Sequence, residues 1–155
     1  MTTKATASTS TNFPKNLRIE QVTNCVVTKS QVVLIPTGIY EGSLFDNLPF
    51  KHRVRCVITA LGSILKNRWA KLSPRDDYHH LMNTWSDGYH HFLAEVVPKF
   101  VLFEEQIRSG LVLMPRCRPK FISDFLEEFG FNNIIDTDGN VFSRKLTVIS
   151  NPNSG

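Results

Sequence analysis

A chain of 155 residues with 41% hydrophobic content is long enough for one domain with a real core. It carries no apolar run that fits a bilayer-spanning helix and no basic-then-apolar leader, so neither a transmembrane segment nor a secretory signal is expected. The formal charge of +4 is mildly basic. Positive residues gather in Lys51-His52-Arg53 with Arg55, in Lys66 to Lys71, and in Arg116-Cys117-Arg118-Pro119-Lys120. Such clusters suit a nucleotide diphosphate, an acidic glycan or an anionic membrane face. No interleaved aromatic motif or recognition-helix pattern supports nucleic acid, which is not expected as a partner. Cys25, Cys56 and Cys117 are odd in number and lack CxxC spacing, which predicts reduced thiols and a cytoplasmic setting.

Residues 1–13 form a Thr/Ser/Ala-rich tail with nothing to bury, and a disordered segment is expected there. Leu17 to Thr23 and Gln31 to Ile35 read as short strands, a small β region ahead of the main fold. Tyr40 to Phe50 is turn-rich. Val54 to Leu65 fits a helix, though Arg55 to Thr59 fits a strand equally well. His79 to Trp85 reads as a strand, and Ser86-Asp87-Gly88 as a turn that caps a helix. In that helix Tyr89, Phe92, Leu93, Val96, Val97, Phe100 and Val101 share one face, and Pro98 predicts a kink or break. Leu111 to Met114 is a short strand. Pro119 starts a second helix whose stripe is Phe121, Ile122, Phe125, Leu126 and Phe129, with Gly130 at its end. Asn133 to Asp136 and Lys145 to Ile149 read as strands. This alternation predicts one α/β domain over residues 14–150, built on a parallel sheet covered by helices. Residues 151–155 have linker composition.

His91 and Glu95 lie one turn apart on one ridge, with Lys99 a further turn along. A neutral imidazole beside a carboxylate is held in one tautomer, as a general base requires. An ordinary surface pair has the same spacing. His90 points about 100° away, toward the apolar face. His79, His80, His90, His91 and Glu95 are potential metal ligands, but HHxxxE is not HExxH and no zinc spacing results, so no metal is expected. The His79-His80 pair on a strand predicts one imidazole in the core and one outside. Arg116 and Arg118 join a strand to a helix, where a parallel sheet binds ligands and helix N-termini attract anions. A solvated basic loop reads the same way.

Trp85-Ser86-Asp87-Gly88-Tyr89-His90-His91-Phe92-Leu93-Ala94-Glu95-Val96-Val97-Pro98-Lys99-Phe100 resembles a motif of the family 61 glycosyltransferases and related capsular-polysaccharide enzymes. In that motif an aromatic pair, a histidine, an aromatic, an acidic residue and a Leu-Pro-Arg-like triplet recur in order. His91 falls on the histidine, Glu95 on the acid, Pro98 on the proline and Lys99 on the arginine. The chain departs from the pattern at Asp87-Gly88, where asparagine is usual, and at His90, which replaces the second aromatic. The likeness covers about residues 81–155.

The resemblance implies a Rossmann-like parallel sheet domain, the N-terminal, acceptor-side half of a two-domain GT-B enzyme. It implies transfer of a sugar from a nucleotide-sugar donor to a glycan or protein acceptor with inversion. A second half, which mainly binds the nucleotide, would follow the linker, so the isolated chain is expected to be inactive. His91 becomes the candidate base with Glu95 as its orienter, and Lys99, Arg116, Arg118, Tyr89 and Asp87 become candidate substrate contacts. No cofactor is implied. The alternatives are a non-catalytic module that binds glycan or nucleotide beside a partner half, and, more remotely, a small metal-dependent hydrolase.

Overall fold

The computed structural model describes residues 17–44, 49–66, 69–72 and 77–150. The expected N-terminal tail and the linker over 151–155 lie outside the described residues. Branched residues on either side of the Lys29-Ser30 turn form β1 (Arg18–Val27) and β2 (Val33–Ile35), followed by the short β3 (Gly38–Ile39). The ambiguous segment is helical as α1 (Phe50–Lys66), and β4 (Trp69–Lys71) and β5 (Tyr78–His80) follow. A helical run then spans α2 (Tyr89–His91), a π turn over Phe92–Val96, α3 (Val97–Leu102) and α4 (Glu104–Ser109). After it come β6 (Leu111–Pro115), α5 (Lys120–Glu128), β7 (Ile134–Thr137) and the long β8 (Asn140–Ser150). No helix among the described residues is long and apolar enough to cross a membrane.

The sheet is mixed, which corrects the expectation of an all-parallel one. Its order is β3-β2-β1-β8-β5-β6-β7, with β4 also beside β8. β8, β5, β6 and β7 run parallel, while β1 pairs antiparallel with β8 along nearly its whole length and β2 and β3 extend that antiparallel side. The fold is therefore α/β with a parallel portion under the helices and an antiparallel portion built by the N-terminal strands. Strand direction is not encoded in residue alternation, which is why β1 and β8, more than 100 residues apart, could not be paired from sequence.

The sheet is also strongly coiled. Val27 pairs with Val141 and His80 with Val148, positions separated by about 23 Å on a flat strand. Gln31 lies just past Val27, yet its carbonyl is 3.2 Å from His80 Nε2. Within β1, Asn24 adopts the left-handed region at φ 50°. On either side of it the inward phase switches on both strands, from Val22 and Leu146 to Cys25 and Ser143. The coil brings the start of β8 close enough for Asp138-Gly139 alone to join it to β7.

Two clusters fill the faces. On one, Leu81, Met82, Phe92, Val96, Phe100, Ile107, Val112, Met114, Ile122, Leu126 and Ile149 pack between sheet and helices. On the other, Val22, Cys25, Val27, Val33, Tyr78, Leu113, Val141, Leu146 and Val148 lie inside the coil. Because both faces are covered, His79 and His80 are both buried, contrary to the expected one-in, one-out arrangement. β5 also ends at His80, so Leu81 to Trp85 is loop and turn in place of the predicted strand. Phe125 is half-buried, and the deepest residues of the α5 stripe are Ile122 and Leu126.

His80 ties stability to pH. Burial, and then the nearby Lys99 ammonium, push its pKa from 6.5 down to about 4. The folded state thus holds a neutral ring that the unfolded chain protonates below 6.5. The stabilisation is present above that value and is lost as pH falls toward 4, on the order of 3 kcal/mol. Denaturant midpoints measured from pH 7 to 4 should fall steeply, and His80→Leu should flatten the slope. An unchanged slope in that variant would remove His80 as the cause.

Candidate functional site

The loop after β5 and the helix it starts bring the central residues together at the carboxyl edge of the parallel strands. Asn83 sits at the centre. Its Oδ1 accepts from the Trp85 backbone N–H at 3.0 Å and from Ser86 Oγ at 2.9 Å, and Ser86 Oγ in turn accepts from the Asn83 N–H at 2.8 Å. Two donors on Oδ1 fix the amide orientation, so Nδ2 is the group that donates to Glu95 Oε2 at 2.7 Å. The other carboxylate oxygen, Oε1, lies 2.7 Å from His91 Nδ1. A carboxylate only accepts, so the proton of the neutral ring is held on Nδ1 and Nε2 keeps its lone pair. Glu95 is mostly buried and His91 is 42% exposed, so a braced ring stands partly in solvent.

Local backbone explains the placement. Val97 N–H reaches back to Phe92 O, so a π turn directly precedes Pro98, which has no N–H to contribute to an α ladder. This is the form that the predicted kink takes, and Glu95 lies within it. A Cβ on Gly88 would stand 3.3 Å from Trp85 O and 3.5 Å from His91 Cδ2, so the glycine permits the close approach of turn and ring.

The other expected contacts are scattered more widely. Asp87 is exposed. Tyr89 is exposed and meets Phe121 edge-on at 5.2 Å, which sets the starts of α2 and α5 side by side. A groove of 380 Å³ runs between those helices, lined by Tyr89, Leu93, Phe121 and Phe129 among others. Lys99 is not on an open ridge: it is 3% exposed, and its Nζ donates to Leu81 O at 2.7 Å. An ammonium held there braces the loop from beneath and does not face a cleft. Arg116 and Arg118 do lie at the carboxyl edge, each paired to an acid on the β7–β8 side. Arg116 meets Asp138 at 2.9 Å, and Arg118 bonds Asp136 and, at 3.0 Å, Pro115 O. They stand as ion pairs at the rim. His90 is exposed and edges onto Tyr89 at 5.8 Å, so it does not lean into the core as its position on the helical wheel suggested.

Among the described residues no group of three or more His, Cys, Asp or Glu side chains is arranged to hold a metal ion. All three cysteines are free thiols, Cys25 and Cys56 buried and Cys117 exposed. Asn83 escaped the sequence reading, and Ser86 entered it only as part of a turn. The signal present was Asn-x-x-Ser directly after a strand, a spacing suited to side chain–backbone turns. Comparison with family models, curated proteins and solved structures returned no match.

Proposed function

We propose that this chain is the acceptor-side, Rossmann-like half of an inverting glycosyltransferase resembling family 61, acting on a nucleotide sugar in the cytoplasm with His91 as general base. The observation that carries the reading is the Asn83–Glu95–His91 relay. It braces a partly exposed imidazole through Nδ1 at the carboxyl end of β5, with His91 and Glu95 at the histidine and acid positions of the motif. Inverting transfer needs a base to take the acceptor hydroxyl proton as the nucleotide leaves, and a histidine oriented by a buried carboxylate is suited to that step. The order β7-β6-β5-β8, all parallel, corresponds to the 3-2-1-4 order of a doubly wound sheet. Ligands of such sheets bind at the carboxyl ends beside the point where the order reverses, here between β5 and β8, and the relay follows β5 directly. Free thiols accord with a reducing compartment.

In this reading the acceptor hydroxyl approaches His91 Nε2, and Glu95 stabilises the imidazolium that forms. Asn83 keeps Glu95 in place, and the second half supplies the donor nucleotide site. The groove beside Tyr89 offers apolar and ring surface for an acceptor sugar. Incubating the complete two-half enzyme with a panel of nucleotide sugars and glycan acceptors tests the proposal. The expected product has the anomeric configuration opposite to the donor, read by NMR, and the 155-residue chain alone gives none. Retention of configuration, or turnover by the isolated chain, would contradict it.

A further inference from the structure

α1 buries only a narrow strip, Cys56, Ala60 and Ser63, and leaves a second face apolar and open. Phe50, Val54, Val57, Ile58, Leu61 and Leu65 are all exposed, with Phe50 at 82% and Leu65 at 84%. At 100° per residue they form one stripe about 100° wide, roughly opposite the buried strip. Trp69, itself exposed, extends the stripe: its indole Nε1 donates to Ile64 O at 3.2 Å and so lies against the end of the helix. An aromatic ring thus stands at each end of a row of aliphatic side chains.

The charges around the stripe are of one sign. Lys51, Arg55 and Lys66 follow one edge and Arg53 the other, and α1 has no acidic residue. The pattern extends beyond the helix. Between Asp46 and Asp76 the sequence holds seven Lys and Arg and no Asp or Glu, while in the rest of the chain 11 cations face 14 acids. The basic surplus of the protein is therefore confined to this one segment. A second copy is a poor fit to the stripe, because self-pairing sets like charges against each other along both edges. An anionic lipid surface satisfies both parts at once, with acyl chains for the apolar stripe and headgroups for its cationic borders.

We propose that α1 is an interfacial helix that docks this protein on an anionic membrane surface, with Phe50, Ile58, Leu61, Leu65 and Trp69 entering the headgroup boundary. The inference does not depend on the reaction proposed above.

Flotation of the 155-residue chain with vesicles tests it. Vesicles of phosphatidylcholine with about one third phosphatidylglycerol should bind the chain, and pure phosphatidylcholine should bind it at least about tenfold more weakly. Raising salt to about 0.5 M should weaken the anionic binding by a similar factor. The triple variant Lys51→Gln/Arg55→Gln/Lys66→Gln should lose about tenfold or more. Leu61→Ser/Leu65→Ser should lose binding too, with an unchanged melting temperature because both side chains are exposed in the fold. Equal binding to neutral and anionic vesicles, or no binding to either, would overturn the proposal. So would a dimer of the chain in sedimentation velocity that Leu61→Ser/Leu65→Ser converts to monomer, since a second copy would then be the occupant.

Discussion

In the proposed glycosyltransferase, His91→Ala should lower sugar transfer about 10²- to 10⁴-fold, the range expected for loss of a general base. It should leave folding nearly unchanged, within about 0.5 kcal/mol, because the ring is 42% exposed and fills no core position. His90→Ala is the matched control: an exposed ring that touches Tyr89 edge-on should matter little to either property. Rates and melting temperatures of the two variants, taken side by side, check this. Equal rates in His91→Ala and the parent enzyme would reduce the His91–Glu95 pair to a helix-surface contact. A large rate loss in His90→Ala alone would move the role to its neighbour.

The second large effect is structural. Phe100 is buried to 1% in the cluster between sheet and helices, with ring centroids 4.5 Å from Phe131 and 5.5 Å from Phe125. Phe100→Ala removes both contacts and leaves a cavity that the coiled sheet and α5 cannot close, at a cost of about 3 to 5 kcal/mol. For a domain of this size that corresponds to a melting temperature lower by roughly 10 °C or more. Phe125→Ala should cost less, toward about 3 kcal/mol, since Phe125 is half-buried although its ring also meets Phe92, Phe129 and Phe131. If the two variants melted at the same temperature as the parent, the aromatic cluster would not be holding α3 and α5 to the sheet.

Local patterns were the legible part of this fold. The stripe through Ile122 and Leu126 and the one through Phe92, Val96 and Phe100 each follow helical spacing, so α5 and the run from Tyr89 could be placed from periodicity alone. Pro98 announced a break because it lacks an N–H, although nothing in the residues specified a π turn as the outcome. The sheet was legible only where strands alternate with helices. Its antiparallel side depends on β1 meeting β8, and the inward phase of both strands switches beside the left-handed Asn24, neither of which a residue pattern states. The burial of both His79 and His80 follows from the covering of both faces of β5: His80 lies against Gln31 on the coiled side and His79 beside Gly110 at the end of α4.

The candidate site divides along the same line. His91 and Glu95 were readable because i,i+4 spacing is local. Lys99 continues that spacing, yet the π turn and the loop over Leu81 carry its ammonium under the loop instead of into the open. Asn83 was invisible for the opposite reason. Its bond to Glu95 links residues 12 apart across a loop and a helix, and only folding brings them together.

The most direct test of the account is the protonation state of the His91 ring itself, read by ¹⁵N NMR of histidine-labelled chain at a pH where that ring is neutral. The relay from Asn83 through Glu95 predicts the ring proton on Nδ1 and not on Nε2, and Glu95→Gln, whose side chain can turn its NH₂ toward the ring, should release that preference. A ring that carries its proton on Nε2, or a tautomer balance unaffected by Glu95→Gln, would contradict the assignment of His91 as a poised base.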